Sequence, residues 1–352
     1  MTSKWSKAKV AIRVDGDKRM GSGHIMRMIS LANILQDQFE ILFLTQEREL
    51  SLIKRITSSG FSVNLLPVAD NGLNEEIDLL TNIVTKEHVL VLDGYHFNYN
   101  YQKALRSFVK KLVCVDDINP GPFYADCILN HGPQAQQEKY VSHISASFCL
   151  GPDYALIQPA FIPCTKRRPI SNEVSEVIVC QGGTDPNNST LKLINGISKL
   201  ERPLTVHIII GPTNIHLRSV VKRASELESI SAHSFKVHYA LTHESMIEVL
   251  KGADMAIVAA STICIELCML RIPVVTNVIA ENQIKLASSI AELGCGVNLG
   301  KVEDLSEYSI YQNLLKIVES KKCREDMCKS QESNFDGRSL IRIQRLFDSL
   351  CA

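Results

Sequence analysis

The chain has 352 residues, of which 45% are hydrophobic and 22% are charged. This length suits two domains, and the composition is that of a globular protein, which excludes a disordered or fibrous chain. Basic and acidic residues are equal at 38 each, so no basic excess points to nucleic acid or to an anionic membrane. The N-terminal residues lack the apolar core of a signal peptide, and no apolar run is long enough to span a bilayer.

The 11 cysteines are odd in number and scattered, which is typical of free thiols and favours the cytoplasm. Cys264 and Cys268 have helical spacing, but no second pair or nearby histidine completes a zinc site. Asp15-Gly16-Asp17 forms a short D-x-D pattern that suits either a plain turn or a divalent ion. We expect no metal and no cofactor.

In the first half of the chain, short apolar runs alternate with stretches of helical periodicity. Strands are predicted within residues 10–16, 40–44, 61–66, 88–95, 111–115 and 127–130, and helices at 25–35, 47–59, 74–85 and 99–110. This alternation predicts a parallel sheet with helices on both faces, and such sheets bind ligands beyond the carboxyl ends of their strands. The polar residues that follow strands are therefore of interest: Asp15, His24, Asp93, Tyr95, Asp116 and Asn130.

The first of these strand ends runs into Gly21-Ser22-Gly23-His24, directly before the first helix. A strand, a glycine turn and a helix leave free backbone N–H groups at the helix N-terminus, where an anion can bind. Glycine lets the ligand approach the backbone closely. The helix dipole favours a neutral imidazole at His24, the form that accepts a proton. The motif therefore suits an anion-binding loop with a general base, or equally a structural turn with a solvated histidine.

The segment 151–172 contains four prolines and a short basic run, and we interpret it as a linker between two domains, residues 1–163 and 173–352. The alternation then begins again, which predicts a second doubly wound parallel sheet and hence two Rossmann-like domains that face each other across a cleft. Strands are predicted at 176–180, 205–210, 235–239, 255–259 and 273–278, and helices at 191–200, 220–227, 243–252 and 263–270. A further helix ends at 293, and the remainder from 305 is mostly helical.

Three polar residues of this second half suggest a nucleotide site. Ser261 and Thr262 start a helix directly after a buried strand, where their hydroxyls either cap the first turn or hold a phosphate with its amides. Glu266 lies four residues past Thr262, on the same side of the helix. Its carboxylate could accept both hydroxyls of a ribose, or could be a surface acid.

Polar loops follow two other strands of the second half. Gly183 and Thr184 belong to a glycine-rich loop that is either a tight connection or a diphosphate contact. Asn282 and Gln283 carry amides that suit sugar hydroxyls or an acetamido group. In the first half, Tyr95 follows a strand, where a lone tyrosine is often only a core-edge aromatic.

Four motifs together resemble one family. They are Arg13-Val14-Asp15-Gly16, Gly21-Ser22-Gly23-His24-Ile25-Met26-Arg27, Gly182-Gly183-Thr184-Asp185-Pro186 and Ala280-Glu281-Asn282-Gln283. In this order they are similar to PseG, the UDP-sugar hydrolases of pseudaminic acid biosynthesis, and to SpsG-type proteins. The resemblance spans the chain from about residue 9 to about residue 300, and it implies the GT-B fold of MurG-type glycosyltransferases.

The resemblance also implies roles for individual residues. His24 matches the catalytic base, Tyr95 a tyrosine that positions water or sugar, and Asn282 a sugar contact. Asp15 would orient His24 or bind the sugar, and the second domain would bind the nucleotide. The expected substrate contacts are Arg13, Gly21, Ser22, Gly23, Arg27, Gly183, Thr184, Ser261, Thr262, Glu266, Asn282 and Gln283. The family's glycine pair is absent at Ala259-Ala260, so a phosphate there must tolerate Cβ atoms.

The implied activity is metal-independent hydrolysis of a UDP-activated diacetamido-trideoxy sugar, which releases UDP and the free sugar with inversion. The chain would be a cytoplasmic monomer or weak dimer that binds a UDP-sugar and neither nucleic acid nor membrane. Two alternatives remain open at this stage. A glycosyltransferase would use the same donor with an acceptor other than water, and a non-catalytic protein would only bind the nucleotide sugar.

Overall fold

The computed structural model describes residues 7–16, 23–46, 48–68, 73–164 and 169–352. The chain divides into two compact units. Unit 1 holds the chain up to Pro159 together with Arg338–Ala352, and unit 2 holds Ala160–Gly337. Each unit is built on its own parallel sheet with helices, so the predicted α/β class is confirmed.

Unit 1 contains seven strands in its described residues. They are β1 (Ala8–Val14), β2 (Phe39–Thr45), β3 (Ser62–Leu65), β4 (His88–Asp93), β5 (Lys111–Val115), β6 (Cys127–Asn130) and β7 (Ser147–Leu150). The helices that follow the first four strands are α1 (Gly23–Leu35), α2 (Leu50–Ser58), α3 (Leu73–Thr81) and α4 (Tyr99–Arg106). The strands pair in parallel in the order β3-β2-β1-β4-β5-β6-β7. Because the order reverses between β1 and β4, their carboxyl ends form the switch point where such sheets bind ligands.

The two faces of β1 face different cores because side chains alternate along a strand. Val10, Ile12 and Val14 pack with α1 in one hydrophobic cluster. Ala11 packs in the cluster on the opposite face, which contains residues of α4. All side chains of β1 from Val10 to Val14 are fully buried. The end of β1 is therefore held rigidly at the switch point.

Unit 2 repeats the plan with six strands in its described residues. They are β8 (Glu176–Cys180), β9 (Thr205–Ile210), β10 (Ser234–Tyr239), β11 (Met255–Ala259), β12 (Val274–Val278) and β13 (Gly296–Lys301). Its helices are α5 (Ser189–Ile197), α6 (Leu217–Ile230), α7 (His243–Gly252), α8 (Thr262–Met269), α9 (Ile284–Glu292), α10 (Glu307–Glu319) and α11 (Lys321–Asn334). The parallel order is β10-β9-β8-β11-β12-β13, and the reversal lies between β8 and β11.

The last helix, α12 (Ser339–Cys351), packs on unit 1 although it follows unit 2 in sequence. Ile343, Phe347 and Leu350 are buried in the cluster that also contains β1 and α1. The ring of Phe347 meets Phe39 edge-on, at 6.2 Å between centroids. The structure therefore differs from the predicted division, which placed all of residues 173–352 in the second domain.

Two strands differ from the sequence-based prediction, which did not include them. Both lie at a sheet edge: β7 pairs only with β6, and β13 only with β12. Their side chains are largely half-exposed, with one buried residue in each. An edge strand needs no continuous apolar run, so hydrophobic patterning does not reveal it. The basic run at residues 166–168 lies outside the described residues.

Candidate active site and nucleotide site

His24 lies in the first turn of α1, at the switch point of unit 1, and is 5% exposed. Its Nδ1 lies 2.7 Å from Oδ1 of Asp93, the last residue of β4. Nη2 of Arg27 lies 2.9 Å from the same Nδ1. We assign the hydrogen to Nδ1 because the carboxylate is the nearer of the two groups and can only accept. The lone pair is then on Nε2, which has no hydrogen-bond partner among the described residues. The imidazole is thus arranged as a proton acceptor.

Arg27 fixes the carboxylate that orients His24. One turn further along α1, its guanidinium donates to both Asp93 oxygens, at 2.6 Å from Nε and 2.5 Å from Nη2. Nη1 donates to Asp117, which follows β5, at 2.7 Å. Burial alone would raise the pKa of Asp93, but Arg27 and His24 hold it well below its usual range. Asp93 therefore stays ionised and keeps the Nδ1–H tautomer.

Tyr95 completes this group. Its ring meets the His24 ring edge-on, at 4.8 Å between centroids, and its hydroxyl donates to Asp117 at 3.2 Å. The structure therefore brings together His24, Arg27 and Tyr95, which the sequence pointed to, and adds Asp93 and Asp117 as their partners. Asp93 was recognisable only as a polar residue at a strand end, and Asp117 carried no separate signal.

A second histidine lies near the same charges. His131 follows β6, is 4% exposed, and accepts a hydrogen bond at Nδ1 from the Leu156 amide, at 3.3 Å. Burial, reinforced by the positive charge of Arg27, lowers the pKa of His131 to about 4. It therefore stays neutral at physiological pH, and its Nδ1 faces a backbone amide, whereas Nδ1 of His24 faces an ionised carboxylate.

Asp15 does not orient His24, contrary to one of the two roles expected for it. Its Oδ1 accepts from the Gln46 amide at 2.7 Å and pairs with Arg13 at 2.6 Å. Arg13 is completely buried, also pairs with Glu76 at 2.6 Å, and lies over the Phe97 ring. Arg13 therefore joins the strand ends to α3, and we leave it out of the proposed substrate contacts.

The turn before α1 is described only in part. Gly23 is the first residue of α1 and is exposed. Gly21, Ser22 and Asp17 lie outside the described residues.

In unit 2, the N-terminus of α8 keeps its first turn uncapped. Ser261 is at the N-cap position but makes no side-chain capping bond, and Thr262 follows as the first helical residue. Both are partly exposed. The Ser261 hydroxyl therefore does not cap the helix in this structure. Uncapped first-turn amides together with two hydroxyls suit an anion.

Glu266 lies one turn further along α8. It has no ion-pair or hydrogen-bond partner among the described residues and is partly exposed. Crowding by the surrounding protein desolvates its carboxyl and raises its pKa to about 8. Glu266 lies on α8, the helix that follows β11, and β11 pairs with β8 at the switch point of this sheet. A dehydrated carboxylate without a partner suits a ligand that brings hydroxyl donors.

Hydrogen bonds of the buried Asp185 side chain fix the glycine-rich loop after β8. Asp185 is completely buried and accepts from the amides of Ser189 and Thr190, at 2.8 and 3.0 Å. Gly211 packs so closely on Gly183 that a Cβ there would lie 2.6 Å from the Gly183 Cα. Gly183 and Thr184 are partly exposed and follow β8, the strand that pairs with β11.

Asn282 and Gln283 lie in a short turn after β12. Gln283 is occupied by its own loop, since its Oε1 accepts from the Ile279 amide at 3.0 Å. Asn282 is exposed.

Among the described residues, no group of three or more His, Cys, Asp and Glu side chains could hold a metal ion. Within the same ranges, no helix is long and apolar enough to cross a membrane.

Three curated proteins are similar to the chain, and no protein-family model matches it. An uncharacterised protein of Methanocaldococcus jannaschii is 29% identical over 79% of this chain. The chain spans only 56% of the length of that relative. The spore coat polysaccharide biosynthesis protein SpsG of Bacillus subtilis is 22% identical, over 97% of this chain and 98% of its own length. A UDP-2,4-diacetamido-2,4,6-trideoxy-beta-L-altropyranose hydrolase of Campylobacter jejuni is 25% identical, over 81% and 97%.

Solved structures with the same fold include glycosyltransferases. MurG of Acinetobacter baumannii matches with a TM-score of 0.64 and 12% identity, over 96% of this chain and 99% of that one. A glycosyltransferase of Rickettsia africae matches with a TM-score of 0.60 and 13% identity, over 98% and 99%. Likeness at this level of identity establishes the GT-B fold alone.

Proposed function

Because the chain groups with the PseG- and SpsG-type proteins and has the GT-B fold, we propose that it hydrolyses a UDP-activated diacetamido-trideoxy sugar. The products are UDP and the free sugar, for a nonulosonic acid of the pseudaminic type. The observation that carries the proposal is the His24–Asp93 pair, in which Nδ1 is tied at 2.7 Å and Nε2 is without a partner among the described residues. The similarity to the Campylobacter jejuni hydrolase supports action on a UDP-sugar.

In the proposed reaction, water attacks the anomeric carbon while the bond from that carbon to the diphosphate oxygen breaks. His24 Nε2 takes the proton of the water, and the ionised Asp93 stabilises the resulting imidazolium. The leaving diphosphate keeps the electron pair of the broken bond. Attack from the face opposite the leaving group inverts the anomeric centre. Tyr95, next to His24, would position the water or the sugar.

Unit 2 supplies the contacts to UDP in this proposal. The uncapped first turn of α8, with Ser261 and Thr262, meets the charge that develops on the diphosphate. Glu266 accepts the ribose hydroxyls, which would supply the hydrogen bonds that its carboxylate lacks in the described structure. Gly183, Thr184 and Asn282 are further candidate contacts to the diphosphate and the sugar.

The test is UDP release from a panel of UDP-diacetamido sugars, followed by NMR with the anomeric signal recorded in the same run. We expect release without any acceptor and a first-formed sugar of inverted configuration. Near-normal turnover by His24→Ala on the authentic substrate would refute the assignment of the base.

A glycosyltransferase is the second candidate, because the solved structures of this fold include MurG. Release of UDP only when an acceptor is added would favour it. A protein that binds the nucleotide sugar without chemistry would release no UDP under either condition. The intact His24–Asp93 pair is the observation against that third possibility.

A further inference from the structure

Unit 1 contains a cavity of about 220 Å³ at the carboxyl ends of β4 and β5, next to the start of α4. Pockets that bind drug-sized ligands measure roughly 300–1,000 Å³, so this one fits a single small group rather than a nucleotide. Its floor is buried and largely apolar, with Leu92, Phe97, Cys114 and Phe123 each no more than 5% exposed. Asn98 and two prolines form its exposed rim.

The cavity adjoins the candidate base. Tyr95 lines it and at the same time meets the His24 ring edge-on at 4.8 Å. A group held in the cavity would therefore contact the same tyrosine that meets the His24 ring. This position suits a substituent of the molecule on which His24 acts.

Two polar side chains in the lining already make hydrogen bonds within the protein. Gln102 donates to the Phe97 carbonyl at 2.8 Å and accepts from the Tyr124 amide at 2.7 Å. Asp116 accepts from the Tyr140 hydroxyl at 2.6 Å and from the Asn119 amide at 3.0 Å. A sugar hydroxyl that entered would lose its water without gaining these groups as partners, which is unfavourable. The cavity therefore disfavours a hydroxyl and favours an apolar group.

The rim offers an amide donor at Asn98. Asn98 caps α4, since its Oδ1 accepts from the Tyr101 amide at 3.1 Å, and its Nδ2 has no partner among the described residues. One amide donor above an aromatic floor is complementary to a carbonyl that carries a small alkyl group.

We propose that this cavity takes an N-acyl substituent of the sugar, with the acyl methyl against Phe97 and Phe123 and the carbonyl oxygen on Asn98. The inference rests on the proposed function, because it assigns the part of the sugar that unit 1 recognises. It makes the cavity the element that separates N-acylated sugars from hydroxylated ones.

The first test measures binding to the full chain by saturation-transfer NMR, so that no turnover is needed. The probes are a 2,4-diacetamido-2,4,6-trideoxyhexose and the same sugar without its acetyl groups. We expect strong saturation of an acetyl methyl and at least about fivefold weaker binding of the unacylated sugar. Equal binding of the two sugars, or no saturation of either acetyl group, would overturn the proposal.

Asn98→Asp keeps the capping oxygen but replaces the donor with a carboxylate, and we expect it to weaken binding of the acylated sugar about 3- to 10-fold. Asn100→Asp is the matched control, because it places the same charge on an exposed residue of α4 that does not line the cavity. UDP binding should be unchanged in both variants. An equal loss in both would contradict the role of Asn98.

A second variant tests the size of the cavity by enlarging it, so that a larger acyl group should bind better. Tyr99→Ala removes a lining side chain and should shift the preference from N-acetyl toward N-butanoyl sugars by about fivefold or more. Tyr124→Ala removes the other member of the Tyr99–Tyr124 ring contact without opening the cavity. An unchanged preference in folded Tyr99→Ala would place the acyl group elsewhere. If instead UDP release fails while the acyl preference holds, the proposed reaction is wrong and the cavity assignment stands.

Discussion

At the scale of single residues, the central feature is a hydrogen bond between groups that are 69 positions apart in sequence, His24 and Asp93. Asp93 is completely buried, and Arg27 holds it through two hydrogen bonds. A histidine with a fixed Nδ1–H and an accessible Nε2 lone pair is the arrangement that general-base catalysis needs. Each of the three residues therefore has a separate, testable effect.

We predict that His24→Asn lowers the rate of UDP release by about 100- to 10,000-fold, the usual contribution of a positioned base. The affinity for UDP should stay within about twofold, since the proposed UDP contacts lie in unit 2. Steady-state kinetics and calorimetric titration with UDP measure the two effects. A parallel loss of both would mean that His24 binds the nucleotide instead.

We predict that Asp93→Asn lowers turnover and also destabilises the protein at neutral pH by about 3–5 kcal/mol, because buried Arg27 loses the partner of its two shortest hydrogen bonds and keeps only Asp117. The folded-state pKa of Asp93 lies well below its ordinary value of 3.8. Its stabilising contribution is therefore complete above that value and is lost as the pH falls below it.

Urea unfolding at several pH values measures this difference, which should be largest at pH 7 and shrink below about pH 4. Asp153→Asn is the control, because it removes a surface pair with Arg342, in which the Asp153 side chain is 58% exposed. We expect that control to change stability by no more than about 1 kcal/mol. A pH-independent difference would contradict the ionised state of Asp93.

The sequence could predict His24 but not its partner. A glycine turn before a helix is a local pattern, whereas Asp15, Asp93 and Asp116 all follow strands and are equivalent in a linear pattern. Only the order of the strands, which places β4 next to β1, and the side on which each carboxylate emerges select Asp93. The resemblance predicts a ligand contact at Arg13, but side-chain alternation along β1 turns Arg13 into the interior, where it pairs with Asp15 and Glu76.

At the scale of elements, α8 carries most of the proposed nucleotide site. Thr262 and Glu266 are four residues apart, so the spacing of the helix places them on one side, and Ser261 precedes them at the N-cap. The sequence could predict this spacing because it depends on local geometry. It could not predict that Ser261 leaves the helix uncapped, which depends on side-chain orientation.

We predict that Glu266→Gln weakens UDP binding about 10- to 100-fold, since hydrogen bonds from the ribose hydroxyls to a charged acceptor are the strong kind. In the unliganded protein the pKa of Glu266 is about 8, so the carboxyl is largely protonated at pH 7. Hydroxyl donors stabilise the ionised form. UDP binding at pH 7 should therefore release a proton, and affinity should rise with pH up to about 8.

Calorimetry in buffers of different ionisation enthalpy counts the released protons, and Glu266→Gln should abolish them. The same pKa predicts the effect on stability. Because the folded-state pKa lies above the ordinary 4.5, the wild type loses stability relative to Glu266→Gln as the pH rises from 4.5 to about 8. If Glu266→Gln gains stability but loses UDP affinity, Glu266 has a binding role and not a structural one. Proton release that persists in Glu266→Gln would point to another group.

At the scale of the whole molecule, the chain begins unit 1, builds unit 2 and returns to complete unit 1 with α12. Sequence patterning predicts the amphipathic helix but not the unit on which it packs, because an apolar stripe fits either core. In unit 1, Ile343, Phe347 and Leu350 share a cluster with strands at the other end of the chain. The hydrophobic cluster of unit 1 is therefore incomplete without α12.

This return of the chain leads to the prediction that Phe347→Ala destabilises unit 1 by about 3–5 kcal/mol, the usual cost of removing a buried aromatic ring. Ile341→Ala on the same helix is the control, since Ile341 is 51% exposed and should change stability by less than about 1 kcal/mol. Hydrogen exchange should show faster exchange in β1 and α1 of Phe347→Ala, while α8 keeps its protection.

UDP provides the decisive comparison for this prediction, because a ligand stabilises only the unit that binds it. In Phe347→Ala, saturating UDP should protect the start of α8 as in the wild type, but should leave β1 and α1 exchanging fast. UDP release should fall in proportion to the folded fraction of unit 1, because that unit supplies His24. If UDP binding were lost together with the protection of β1, the nucleotide contacts could not be assigned to unit 2 alone.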